Sequence, residues 1–251
     1  MQSSPIILSL ILSSAVFAEI PNDPLFDRQW GLNNSSTNFD IDAPEAWGLE
    51  KGTKDIAIVV IDTGIDYTHP ELAPNMWVNP GEIPGNGIDD DNNGYIDDVH
   101  GVNVITGSGD PMDDSGHGTA IAGVIGAEGN NGIGIAGVMQ KVSLIACKFL
   151  DKNGAGTAAN AVKCLDYAAD LATRNIGVTI VATNNAWGGG SKNEALLLAI
   201  KRQKDLGILF VVAAGASASN LDINPTFPAA YGLENMLVVA SANAQGALAP
   251  F

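Results

Sequence analysis

The chain has 251 residues, 46% apolar and 16% charged, a balance that buries a sizeable core and excludes an intrinsically disordered chain. Twelve Lys and Arg face 28 Asp and Glu, a formal net charge of −16. A surface this acidic repels nucleic acid and anionic membrane and suits cation binding.

In chain order, residues 1–18 read as a secretory signal peptide: Ile6 to Phe17 is apolar, and Val16-Phe17-Ala18 offers small residues at −3 and −1. The run is shorter than the about 20 residues a membrane span needs, and no other stretch could cross a bilayer. A secreted protein, free of the membrane after signal removal and monomeric, is the expectation. Residues 19–50 are polar and irregular, with a short helical piece at Ala43–Trp47. Ile56–Ile61 is a continuous apolar run of the kind a strand buried on both faces shows. Residues 63–115 form a loop rich in Gly, Asp, Asn and Pro. Gly118–Ala127 predicts a helix of small residues, Val142–Phe149 a strand, Ala158–Thr173 a helix and Val178–Thr183 a strand. Ser191-Lys192-Asn193-Glu194 reads as a capping box opening a helix to about Lys204. Ile208–Ala214 and Met236–Ala240 read as two more buried strands. Alternation of strand and helix implies a mainly parallel sheet with helices on both faces, in one domain without repeats.

Two cysteines, Cys147 and Cys164, are compatible either with one bridge in an oxidising compartment or with two buried thiols. His69 reads as structural and His100 as part of a surface loop. Gly132-Ile133-Gly134-Ile135-Ala136-Gly137 matches the glycine pattern of dinucleotide sites. It follows a helix and precedes a strand, the reverse of what such a site needs, so NAD binding is excluded.

In open parallel sheets functional groups gather at strand carboxyl ends and helix N-termini. Asp62 directly follows the first buried strand, and a carboxylate there could orient a histidine by accepting its Nδ1–H. His117 lies where a glycine-flanked loop becomes a helix, and imidazole is the natural general base at neutral pH. Alone, the first reads more readily as a turn aspartate and the second as a polar cap.

Together they carry more. Asp62-Thr63-Gly64-Ile65-Asp66, followed 55 residues after Asp62 by His117-Gly118-Thr119-Ala120-Ile121-Ala122-Gly123, resembles the subtilisin family of serine peptidases. The similarity runs from about Gln29 to Phe251. It implies a three-layer α/β/α fold over residues 51–251, incomplete at its C-terminus, and protein or peptide substrates cleaved by an Asp-His-Ser triad. Asp62 would be the orienting acid and His117 the base. Ala186-Trp187-Gly188 resembles the substrate-binding strand, its small side chains leaving room for a substrate side chain. Ala214-Gly215-Ala216 resembles the other wall of the specificity pocket.

The family pattern breaks in three places, one being that no inhibitory pro-segment separates Ala18 from the family-like segment. No G-T-S-M-A-type serine motif occurs before Phe251, so the chain reads as a fragment lacking the nucleophile. Where the family places an oxyanion-hole Asn, this chain has Ala216, whose methyl donates nothing. The rival reading is an inactive, calcium-binding relative that binds peptides without cleaving them.

Asp89-Asp90-Asp91-Asn92-Asn93-Gly94-Tyr95-Ile96-Asp97-Asp98 is a calcium-loop candidate. Asp89, Asp91 and Asn93 alternate as in an EF-hand, the Tyr95 carbonyl would follow, and Asp97 or Asp98 would close the site. Hard oxygen donors suit Ca²⁺ rather than Zn²⁺. His100 stands where an EF-hand has its bidentate Glu, so the expectation is a calcium-stabilised loop and not an EF-hand.

Overall fold

The computed structural model describes residues 17–251. The expected signal peptide, apart from Phe17 and Ala18, lies outside the described residues. A five-residue helix α1 (Ala43–Trp47) precedes strand β1 (Gly52–Asp62), the short strand β2 (Gly101–Asn103), helix α2 (His117–Gly126) and strand β3 (Lys141–Lys148). Helix α3 (Ala158–Ala172), strand β4 (Thr179–Asn185), helix α4 (Glu194–Asp205), strand β5 (Leu209–Ala213) and strand β6 (Met236–Val239) follow. The six strands form one sheet in the order β2-β3-β1-β4-β5-β6, and every pairing is parallel.

The three layers follow from the two-residue period of the central strands. Val59 and Ile61 of β1, with Ile145 and Cys147 of β3, face the core formed with α3 and α4. Val60, Leu144 and Ala146 face the opposite core, under α2, with Leu72 and Ala122. Both faces of β1 and β3 are covered, which is why their sequences read as unbroken apolar runs. Among the described residues no helix is long and apolar enough to cross a membrane.

Cys147 on β3 and Cys164 on α3 form a disulfide with Cα atoms 5.8 Å apart, pinning that helix to the sheet. The cap of α4 differs from the expected box. Asn193, not Ser191, is the N-cap, its Oδ1 accepting the Leu196 N–H at 3.0 Å. An Asn next to the first helical residue meets the orphan N–H groups without the Ser two residues earlier. The last strand also departs from expectation. In β6, Leu237, Val238 and Val239 are exposed, because no element among the described residues covers that edge.

Strand β2 had no sequence signal, since three residues show no period. Its start depends on Gly101, at φ +124°, where a Cβ would lie 1.9 Å from the Ala146 carbonyl oxygen. His100, read as surface, is half-buried. Its Nδ1 lies 2.8 Å from the Trp77 carbonyl oxygen and its ring packs on Tyr67 with centroids 4.8 Å apart. His69 keeps its structural reading, accepting the Glu71 N–H at 3.2 Å.

Candidate active site

Asp62 is the last residue of β1, at the carboxyl edge of the sheet, and is fully buried. His117 is the first residue of α2, and its side chain is about half exposed. The two meet across 55 residues of sequence, with His117 Nδ1 2.7 Å from Asp62 Oδ1. The same carboxylate oxygen accepts the Thr63 N–H at 2.7 Å. Asp62 Oδ2 is buried without a partner among the described residues. A buried carboxylate with so little protein solvation relies on its histidine. That contact requires the proton on Nδ1, which leaves the lone pair on Nε2 of a half-exposed ring.

The approach is close because the helix start presses on the strand tip. A Cβ on Gly118 would lie 2.1 Å from the Gly64 carbonyl oxygen and 3.1 Å from the Asp62 Cβ. Sequence reasoning missed Asp113, which organises this junction. Its carboxylate accepts hydrogen bonds from the Thr63 hydroxyl, the Ser115 N–H, and the Thr119 N–H and hydroxyl. Burial pushes this carboxyl up, but those bonds outweigh it and hold it at about 2.

The expected substrate segments fall on two separate clefts. Gly188 and Trp187, just past the end of β4, line one of about 340 Å³ with Leu150, Gly154 to Thr157 and Phe227. Ala186 is half-buried beside them. Trp187 corrects the expectation of small side chains. Its ring packs edge-on against Phe149 (4.8 Å) and Phe210 (6.4 Å), filling core space. Ala214 and Gly215 line a second cleft of about 440 Å³ with Ser217 to Leu221 and Leu248 to Phe251. Ala216 is exposed and lines neither of these two.

The acidic loop is a built structure. Glu82, Asp91 and Asp98 bring carboxylate oxygens within 4.8 Å of one another, and Glu82 and Asp98 are buried. Asn79 Nδ2 donates to Asp91 and to Asp98, each at 3.1 Å. Of the other expected ligands, Asn93 donates its amide to Asp91 and Asp98. Asp89 accepts the N–H groups of Asn93 and Gly94, and Asp97 those of Gly85, Asn86 and Gly87, while Glu82 accepts those of Asp90, Asp91 and Asp97; of these three carboxylates only Glu82 also converges with Asp91 and Asp98. Tyr95 packs its ring edge-on against Tyr167 at 5.6 Å. Glu82 escaped the sequence reading because a Gly- and Pro-containing turn separates it from the acidic run. Burial raises Asp98 to about 6, against hydrogen bonds from Tyr167 and Asn93. Three oxygens so placed fit a hard cation.

A second acidic place lies under the start of the chain. Both carboxylate oxygens of Glu71, and Asp23 Oδ1, are buried without a well-formed hydrogen bond, the Ile135 backbone and the Asn131 side chain lying nearest to Glu71. Burial first, and the neighbouring Asp23 charge second, raise Glu71. The Gly134 backbone crowds it so closely that a Cβ there would lie 2.5 Å from Glu71 Oε1. Two neighbouring buried carboxylates with so few hydrogen bonds also fit a cation.

Comparison with known proteins identifies a family and a fold. The subtilase family model, peptidase S8, matches residues 53–251. Subtilisin-like protease 1 of Plasmodium berghei is 36% identical over 88% of this chain, and that of Plasmodium vivax 37% over 88%. Thermitase of Thermoactinomyces vulgaris is 32% identical over 88% of this chain and 65% of its own. This chain spans only 37% and 35% of the two Plasmodium relatives. A crystal structure of a cold adapted subtilisin-like serine proteinase superposes with a TM-score of 0.63 at 23% identity, over 88% of this chain and 67% of that one, a likeness of fold. With the family model spanning β1 through Phe251 and the Asp62–His117 pair at the sheet's carboxyl edge, the chain belongs to the subtilase family.

Proposed function

We propose that this chain carries the acid and base of a subtilisin-type serine endopeptidase. The supporting observation is the 2.7 Å contact between His117 Nδ1 and Asp62 Oδ1. Asp62 holds the imidazole in the tautomer with Nδ1 protonated and stabilises the imidazolium. Nε2 takes the proton of a serine hydroxyl as it attacks a peptide carbonyl, then returns it to the leaving amine. Among the described residues the side-chain partner of His117 is Asp62, and no serine hydroxyl is hydrogen-bonded to its ring. An extended peptide lies along Ala186-Trp187-Gly188 by backbone hydrogen bonds, with Ala214-Gly215-Ala216 across from it.

Calcium is the cation proposed for Glu82, Asp91 and Asp98, with Asn93 in support, and for the Asp23–Glu71 pair. Its chemistry is to neutralise carboxylates that repel one another, which stabilises the fold. The Cys147–Cys164 disulfide supports a secreted protein, because such bonds persist in oxidising compartments.

Extending the clone past Phe251 tests the assignment. The extended protein is expected to hydrolyse casein and to be labelled by a serine-directed phosphonate, with His117→Ala abolishing both. Ala216 favours a second reading, a non-catalytic relative that binds peptide and calcium. An extended protein that carries a serine motif yet neither cleaves nor labels establishes that second reading.

A further inference from the structure

Thr63 is fully enclosed, and each of its polar groups is bound to a different part of the junction. Its N–H donates to Asp62 Oδ1 at 2.7 Å, the oxygen that faces His117. Its carbonyl accepts from the buried Lys148 ammonium at 2.6 Å, at the end of β3. Its hydroxyl donates to Asp113 Oδ1 at 2.9 Å and accepts the Gly118 N–H at 2.9 Å. Gly118 is the second residue of α2, so its N–H is among the donors at a helix start that no carbonyl of the helix reaches. The hydroxyl therefore links the Asp113 charge to the positive end of the helix dipole.

His117 and Gly118 share a peptide bond. Whatever holds the Gly118 N–H on Thr63 also fixes where the imidazole meets Asp62. We propose that Thr63 is a positioning residue: its hydroxyl, backed by the Asp113 carboxylate, clamps the first turn of α2 onto the tip of β1 and so sets the His117–Asp62 contact. The clamp rests on reading Asp62 and His117 as the working pair, but its test needs no turnover. Failure of the extended protein to cleave peptides would leave the clamp measurable.

The test is proton NMR of the 251-residue chain, following solvent exchange of the His117 Nδ1 proton. Thr63→Val keeps the side-chain shape and removes the hydroxyl; Thr63→Ser keeps the hydroxyl. Thr63→Val is expected to speed exchange of that proton at least about tenfold, and Thr63→Ser to leave it within about twofold of the parent. Amides of Val59 and Leu144 in the core are expected to keep their protection. An unchanged Nδ1 proton in Thr63→Val overturns the clamp. So does equal acceleration at Val59 and Leu144, which marks general destabilisation. If Thr63→Val does not fold, Asp113→Asn decides by the same criteria: faster Nδ1 exchange alone supports the clamp, and parental exchange overturns it.

Discussion

The Tyr167 hydroxyl donates to Asp98 Oδ2 at 2.5 Å, so the acidic loop is tied directly to the buried face of α3. Desolvation in that position pushes Asp98 up to about 6 and pushes the phenol of Tyr167 well above its usual value. The loop is thus coupled to the main core, and the charge state of one carboxylate is felt there.

The sign of the pH dependence depends on the cation. Without metal, the folded protein holds the Asp98 proton up to about 6, whereas the unfolded chain releases it near its ordinary value. This group's effect on stability is absent at low pH, turns unfavourable as pH rises from about 4 to about 6, and stays unfavourable above. Calcium requires the ionised form. Its affinity is expected to fall up to about tenfold per pH unit below about 6, the slope of one competing proton. Thermal unfolding from about pH 4.5 to 7.5, with calcium and with a chelator, should show the calcium-induced rise in Tm growing with pH. A rise independent of pH removes Asp98 from the site.

Glu82 and Asp97 separate the structural reading of the loop from the sequence reading. Glu82→Gln removes a charge from the converging triad and is expected to weaken calcium at least about tenfold. Asp97→Asn, whose carboxylate serves the Gly85 to Gly87 backbone, is expected to change calcium affinity by less than about threefold. Isothermal titration of both variants checks the pair, and the reverse order of effects restores Asp97 as the ligand.

What the sequence made legible was periodic or local. The unbroken apolar runs of β1 and β3 announced strands covered on both faces, and the glycine-flanked His117 announced a helix start. What it hid depended on long-range placement. Glu82 is distant in spacing rules but adjacent in space, and Asp113 organises α2 by contacts with Thr63 and Thr119 that no motif describes. Trp187 was read by its neighbours Ala186 and Gly188, yet its ring serves the core through Phe149 and Phe210. β6 was read as buried from composition alone, and burial needs a second surface to exist.

The disulfide closes a short loop, Cys147 and Cys164 having a sequence separation of 17. Constraining the unfolded chain over such a loop contributes about 3 kcal/mol. For a chain of this size that corresponds to about 6–12 °C in Tm. Replacing both cysteines by Ala is expected to lower Tm by at least that amount, since both side chains are fully buried and leave a void. Calorimetry of the double variant checks it; a loss under about 2 °C means the helix is held by packing alone.

Ala216 bears on whether the extended protein turns over quickly. A developing oxyanion needs a donor already in place, and loss of the Asn donor from a subtilisin lowers kcat by about 10²–10³. Ala216→Asn in the extended protein is therefore expected to raise kcat by a comparable factor with KM little changed, because the donor acts on charge that appears only in the transition state. Asp62→Asn is expected to lower kcat about 10⁴-fold by favouring the wrong imidazole tautomer, whichever residue stands at 216. Steady-state kinetics on a peptide substrate separates the two effects. If Ala216→Asn leaves kcat unchanged while Asp62→Asn still abolishes turnover, a different donor already serves the oxyanion, and the alanine is no sign of lost activity.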